Sequence, residues 1–566
     1  MGNWFPLFNQ LKNNYNLRTD LKGDLNAGLI VAIMLIPQGM AYAMLAGLPP
    51  VMGLYASTVP LILYALLGTS RQLAVGPVAM VSLLVFTGVS GLAEPGSPEY
   101  ISYVILLAVM TGVLQLTMGL LRIGTITKFI SHAVISGFTS AAAIIIGLSQ
   151  LKHLLGTDLG DSKNVFIILY QAFMQAGNIH LTTLLIGVLA IVMLVVLKKY
   201  VPQIPGPLAV VVLSILFVWG AGLDNKGVSI VGDIPAGLPS FSIPLLDLSV
   251  MQTLLPVAVT IAIIGFVESY AMAKVIAGKE RYPIGPDQEL RALGISNAGA
   301  GLFSGFPVTG GFSRSAVNYS AGAKSGLATI INAVFIVLTL LFFTSWFYYL
   351  PQAVLASIIF VAVYALIDFR EFRHLWKIKR IDGAVFLITF TATLVIGIEA
   401  GIAIGILFSL LTFIYRSGSP HMARLGWVEE IGAYRNLERF PEAVTDKSTL
   451  MVRIDAPVYF ANMGYIEERL RRFILEEKSV DTIIFDFSGV NDMDAVAIDQ
   501  LERWIDDQME EGMDIYVTEV KGPVRDLLKK AGWNRKYSGI FAAHTLDQTV
   551  KVLREEKKGL LGGGEG

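Results

Sequence analysis

Phe306-Pro307-Val308-Thr309-Gly310-Gly311-Phe312-Ser313-Arg314-Ser315 is the stretch on which the fold turns. It sets an arginine between two serines, just behind a glycine pair, among long apolar runs. Charge at that depth in a membrane costs about 2.5–3.5 kcal/mol or more, and a Gly/Pro cluster breaks a helix. A counterpart stands far upstream, Ala74-Val75-Gly76-Pro77-Val78-Ala79-Met80, after the short extended stretch 71–73. There Pro77 predicts the first position of a helix. Two broken helices at matching places of two halves point to inverted repeats around a central site. Helix N-termini carry roughly +0.5 charge each and unpaired N–H donors. Two of them with Arg314 put about +2 near the midplane, by that dipole rule. Such a pocket suits an anion.

Working outward, the surroundings are lipid-like. The chain has 566 residues, 54% hydrophobic and 15% charged, with a mean hydropathy of +0.62. Residues 1–418 carry 23 Lys and Arg and 17 Asp and Glu, while residues 419–566 carry 20 and 27. A chain that passes from lipid into water has this charge distribution. The formal net charge of -1 argues against nucleic acid as a partner. No cysteine is present, which excludes disulfides and thiolate chemistry.

Fourteen apolar segments are expected: 24–47, 51–69, 74–91, 101–121, 126–150, 181–200, 206–222, 251–277, 288–306, 312–322, 326–348, 351–367, 382–398 and 400–417. With the polar segment 1–23 inside, 19 basic residues fall in inner connections and only Lys152, Lys163 and Lys226 in outer ones. That asymmetry fits both ends lying in the cytoplasm. Seven spans per half put the halves in opposite orientation. The expected fold is an α-helical polytopic membrane protein, 14 spans as 7+7 inverted repeats, followed by a cytoplasmic α/β domain.

Other polar positions break the apolar pattern. In the first span Pro37 and Gly39 weaken the helix, with Gln38 and Tyr42 four apart on one face. These residues either contribute to a site or mark a packing kink. Glu268 lies within an otherwise apolar span; burial favours its neutral form and a nearby Arg314 its charged form. It is read either as a structural partner of Arg314 or as a proton site that couples proton and divalent anion by charge complementarity. Arg314 itself has the alternative of snorkelling to the inner surface.

At these residues the chain resembles the SulP sulfate permease family, which is solute carrier family 26-like. The resemblance rests on Ile36-Pro37-Gln38-Gly39-Met40-Ala41-Tyr42-Ala43, Leu48-Pro49-Pro50-Val51-Met52-Gly53-Leu54-Tyr55, Gly76-Pro77 and Phe312-Ser313-Arg314-Ser315. It implies core and gate subdomains, with the anion between the half-helices of spans three and ten. Carried over by position, Gln38, Tyr42, Val78, Ala79, Gly311, Phe312, Ser313 and Arg314 line that site, with Glu268 behind it. The resemblance also implies a homodimer and a C-terminal STAS domain.

In the soluble part, strand-like runs 450–454, 482–487 and 514–519 alternate with helix-like runs 463–477, 495–511 and 522–532. Asp486-Phe487-Ser488-Gly489-Val490-Asn491-Asp492-Met493-Asp494-Ala495 looks like the STAS loop, except that Ala495 stands where the family pattern has a phosphorylatable serine. The domain reading is a transmembrane transport domain at 24–418, a linker at 419–447, the STAS domain at 448–556 and a Gly-rich, unstructured tail at 557–566.

The six histidines make no metal-ligand spacing, no nucleophile–base set is visible, and no cofactor is expected. With the resemblance, the expected function is a secondary active transporter in the plasma membrane bilayer, taking up a small inorganic anion, sulfate, with a proton as coupling ion. Bicarbonate or dicarboxylate transport driven by Na⁺ or H⁺, and a passive anion channel, are the rival readings.

Overall fold

A computed structural model describes residues 5–124, 131–159, 165–201, 205–244, 246–477, 479–537 and 545–562. It divides into two compact units, residues 1–409 and 410–566.

The first unit is helical. Among the described residues, eight helices are long and apolar enough to cross a membrane, and shorter apolar helices lie at Ala79–Val89, Val165–Met174, Gly206–Ala221 and Leu327–Phe342. Helix Val165–Met174 falls outside every expected span. So does Phe369–Ile378, which lies between the apolar helices Gln352–Tyr364 and Arg380–Val395. Lys128 and Lys163, both used in the loop count, lie outside the described residues.

Close helix approach is built from glycine. Helices Pro98–Leu120 and Pro286–Leu302 are in backbone contact. A Cβ added at Gly112 would meet the Ala298 nitrogen at 2.3 Å, and one at Gly294 the Leu116 nitrogen at 2.5 Å. At Gly119 and Gly301, each one heptad further on, an added Cβ would also lie close to the facing backbone, 2.8 Å from the Asp287 oxygen and 2.7 Å from the Ile105 oxygen. Seven-residue spacing keeps each pair on one helix face, where small residues let backbones touch.

Both Gly/Pro clusters interrupt their helices. Strand β1 (Val75–Gly76) pairs antiparallel with β2 (Thr309–Gly310), Val75 opposite Gly310 and Gly76 opposite Thr309. A helix follows each strand, Ala79–Val89 after β1 and Phe312–Ser320 after β2. Pro77 is therefore not the first helical residue, as the sequence suggested. The strand pairing holds the chain extended through the cap residue Val78, and Gly76 takes a φ of 152° that favours glycine. Helix Asp20–Leu45, by contrast, runs through Pro37 without a break.

The second unit is an α/β domain around a five-stranded sheet. The order is β4-β3-β5-β6-β7, with β3 at Met422–Val428, β4 at Ala433–Asn436, β5 at Thr449–Ile454, β6 at Thr482–Asp486 and β7 at Asp514–Thr518. Strands β5, β6 and β7 are parallel, while β3 is antiparallel to β4 and β5. Residues 419–447, expected as a linker, instead supply the hairpin that edges this sheet. Helix Leu546–Gly562 likewise runs into the tail expected to be unstructured. Asp494 caps helix Ala495–Glu510, its carboxylate accepting from the Ala497 and Phe460 amides.

Candidate functional site

The extended segment before the first broken helix is held from the second. Three side chains of helix Phe312–Ser320 bond to its backbone: Ser315 Oγ accepts from the Ala74 amide at 2.9 Å, Asn318 Nδ2 donates to the Gln72 carbonyl at 2.9 Å, and Arg314 Nη1 donates to the Pro77 carbonyl at 2.7 Å. The Gly311 amide closes the seam on the Ala74 carbonyl.

A hydroxyl and amide network fixes the second break from behind. Asn297 Oδ1 accepts from the Val308 amide at 2.7 Å and its Nδ2 donates to Gln115. Ser269 Oγ accepts from the Gly310 amide at 2.8 Å, and Thr309 Oγ donates to the Gly265 carbonyl at 2.6 Å. Ser269 follows Glu268 directly on helix Leu248–Glu280, so the network also fixes the backbone that carries that carboxyl.

Arg314 is 3% exposed, so it does not snorkel. Its guanidinium lies over the glycines: a Cβ at Gly311 would meet Cζ at 3.0 Å, and one at Gly76 would meet Nη2 at 3.4 Å. Only Nη1 has a partner, because Nε and Nη2 are buried without one. Glu268 Oε2 is in the same condition. Glu268 and Arg314 lie close enough that the charge of each acts on the other, and both act on the Tyr42 hydroxyl.

Two other buried carboxylates, which the sequence reading passed over, make the contrast. Asp24 accepts from the Lys324 and Ser325 amides, Ser325 Oγ and Tyr15 OH. Glu289 accepts from Tyr64 OH, Thr69 N and Oγ, and Ser70 N. Both are satisfied structural anions. Buried polar groups without partners are uncommon and call for an explanation. Here three such atoms belong to one cationic and one acidic side chain.

Of the residues singled out from the sequence, Val78 caps the first broken helix and Ala79 begins it, while Gly311 caps the second. Tyr42 joins the charged pair, and Gln38, one turn earlier on the same helix, is likewise buried. Phe312 and Ser313, in the first turn of the second broken helix, are exposed, Phe312 by 44%. The network residues Gln115, Ser269, Asn297 and Thr309 were missed; their polar side chains at membrane depth were the available signal.

This arrangement offers hydrogen-bond donors and positive charge and has no hydrolytic set. Residues 21–389 match the model of the sulfate permease family. The chain belongs to that family. Residues 440–551 match the STAS domain. Sulfate transporter 4.1, chloroplastic, of Arabidopsis thaliana is 41% identical over 517 residues, 88% of this chain and 75% of that protein. High affinity sulfate transporter 2 of Stylosanthes hamata is 34% identical over 525 residues, 88% and 78% of the two chains. The murine Solute Carrier 26 family member A9 anion transporter, solved in the inward-facing state, superposes with a TM-score of 0.86 at 25% identity, covering 94% of this chain and 90% of that one. The sulfate permease family is one of transporters rather than enzymes, and this chain shares its helical transmembrane fold and C-terminal STAS domain.

Proposed function

We propose that the protein is a secondary active transporter that takes up sulfate together with protons by alternating access. Arg314 and the two helix N-termini hold the anion, Gln38, Tyr42, Val78, Ala79, Gly311, Phe312 and Ser313 surround it, and Glu268 carries the proton. One observation carries this reading: the buried Arg314 guanidinium keeps two donors without a partner beside an equally unpartnered Glu268 oxygen. A dianion would satisfy those donors. A proton on Glu268 would leave the pocket fully positive when it does so. The names of the plant relatives support sulfate as the anion.

The remainder of the proposal is fourteen crossings, both ends cytoplasmic, a homodimer and a plasma-membrane location. The basic loops support the orientation. One relative is named as a chloroplast protein, so membrane fractionation of a tagged chain tests the location. The function is tested with the purified full chain in proteoliposomes. An inward proton gradient should drive labelled sulfate above its equilibrium level, and external sulfate should exchange with internal label. Flux that stops at equilibrium under every gradient overturns active transport in favour of a channel. Exchange with bicarbonate or a dicarboxylate in preference to sulfate overturns the substrate.

A further inference from the structure

Helix Phe369–Ile378 is short, strongly two-faced and unused by the site described above. Asp368 caps it, accepting from the Arg370 and Glu371 amides at 3.0 Å each. One face folds back on helix Arg380–Val395. Phe369 meets Phe390 with ring centroids 6.1 Å apart, Phe372 meets Phe386 at 5.3 Å, and Trp376 fills the notch at Gly383, where an added Cβ would lie 2.9 Å from the Trp376 Cα.

The adjoining face is basic. Arg370, Arg373 and Lys377 recur at i, i+3 and i+7, which aligns them in one stripe, and Lys379 and Arg380 continue it past the helix end. All five are exposed. Among the described residues none of the five is in an ion pair. The acids close in sequence are already engaged, Asp368 in the cap, Glu371 opposite His132 at 3.6 Å, and Asp382, in the first turn of the next helix, in an interaction of its own. At the flanks of the stripe Phe369, Trp376 and Ile378 remain 50%, 42% and 70% exposed. Such aromatic and aliphatic flanks settle at the level of lipid headgroups.

From this juxtaposition we propose that the basic stripe Arg370–Arg373–Lys377 binds the phosphate headgroups of anionic phospholipids in the leaflet beside it. Charge complementarity selects the occupant. Five cations without an ion-pair partner among the described residues sit at the edge of an apolar helix pair, and polybasic amphipathic helices at such edges attract anionic lipid. Binding there would hold the hinge at Lys379 and, through the aromatic contacts, the angle between the two helices.

The test uses the full chain extracted from membranes containing phosphatidylglycerol and phosphatidylcholine, with retained lipid counted by native mass spectrometry. The wild type should retain phosphatidylglycerol preferentially. Each basic residue near the surface is worth about fivefold in binding, so the combined variant Arg370→Gln, Arg373→Gln, Lys377→Gln should lower that preference by about a hundredfold. Its sulfate-induced thermal shift, read from a pocket these residues do not touch, should be unchanged. The charge-keeping variant Arg370→Lys, Arg373→Lys should retain the lipid. If the combined variant does not assemble, Lys377→Gln alone must lower the preference about fivefold. An unchanged preference in either glutamine variant overturns the proposal, as does equal loss in the lysine variant, which would make packing rather than charge responsible.

Discussion

Replacing Arg314 by alanine tests the pocket most directly. Nε and Nη2 are the two buried donors without protein partners, and hydrogen bonds between charged groups are worth about 1.5–3 kcal/mol each. Losing both from a bound dianion removes about 3–6 kcal/mol, or roughly two to four orders of magnitude in Kd. The substitution also strips the Pro77 carbonyl of its donor, which costs stability of about 1–3 kcal/mol if no water replaces it. The two effects are separable: melting of the ligand-free protein reads the second, and sulfate titration by calorimetry reads the first. Arg314→Lys keeps the charge but loses the planar fork. One ammonium then has to serve both Pro77 and the anion, so its affinity should fall between wild type and alanine. If Arg314→Ala binds sulfate within about threefold of wild type, against the loss worked out above, the anion is not held by this guanidinium and the pocket reasoning fails.

Glu268→Gln removes the titrating group while keeping its shape. Sulfate uptake that rises as external pH falls should become flat in this variant, while sulfate–sulfate exchange persists; uptake with an unaltered pH profile assigns the proton elsewhere. Gly112→Ala drives a methyl to 2.3 Å from the Ala298 nitrogen, and because backbone has to give way the loss should reach about 3 kcal/mol, seen as a lowered melting temperature in detergent. Asp494→Ala leaves the Ala497 and Phe460 amides without their acceptor. That should cost about 1–2 kcal/mol in the STAS domain, read as faster proteolysis within residues 410–566 with sulfate binding unaffected.

The broken helices were legible because glycine and proline cluster within long apolar runs. Their starting points were not. Pro77 reads locally as a helix start, yet the partner that keeps Gly76 and Val78 extended lies more than two hundred residues away in β2. Arg314 and Glu268 stood out as charges in apolar surroundings. Ser269 did not, since a serine in a helix ordinarily bonds its own preceding turn, and this one does donate to the Gly265 carbonyl. Its second role, as acceptor for the Gly310 amide, exists only after helix Leu248–Glu280 has packed against β2, forty-one residues away. In the soluble unit the parallel strands were legible as compact apolar runs. Met422–Val428 was overlooked because arginine, glycine and tryptophan interrupt its pattern, and its burial comes from pairing with β5.

Four residues stitch the two halves together at β1 and β2, and each of those strands leads into a broken helix. No substitution at 75–76 can be neutral to 309–310, because a shift in one ribbon changes the backbone against which the other is bonded. Side chains also tie the halves, at Asp24 with Ser325 and at Glu289 with Tyr64, but a side-chain pair can be exchanged for another. At the seam the halves are bound to change in concert. The ancestral symmetry of such a chain would therefore persist longest in main-chain geometry, in a place where comparison of side chains has least to read.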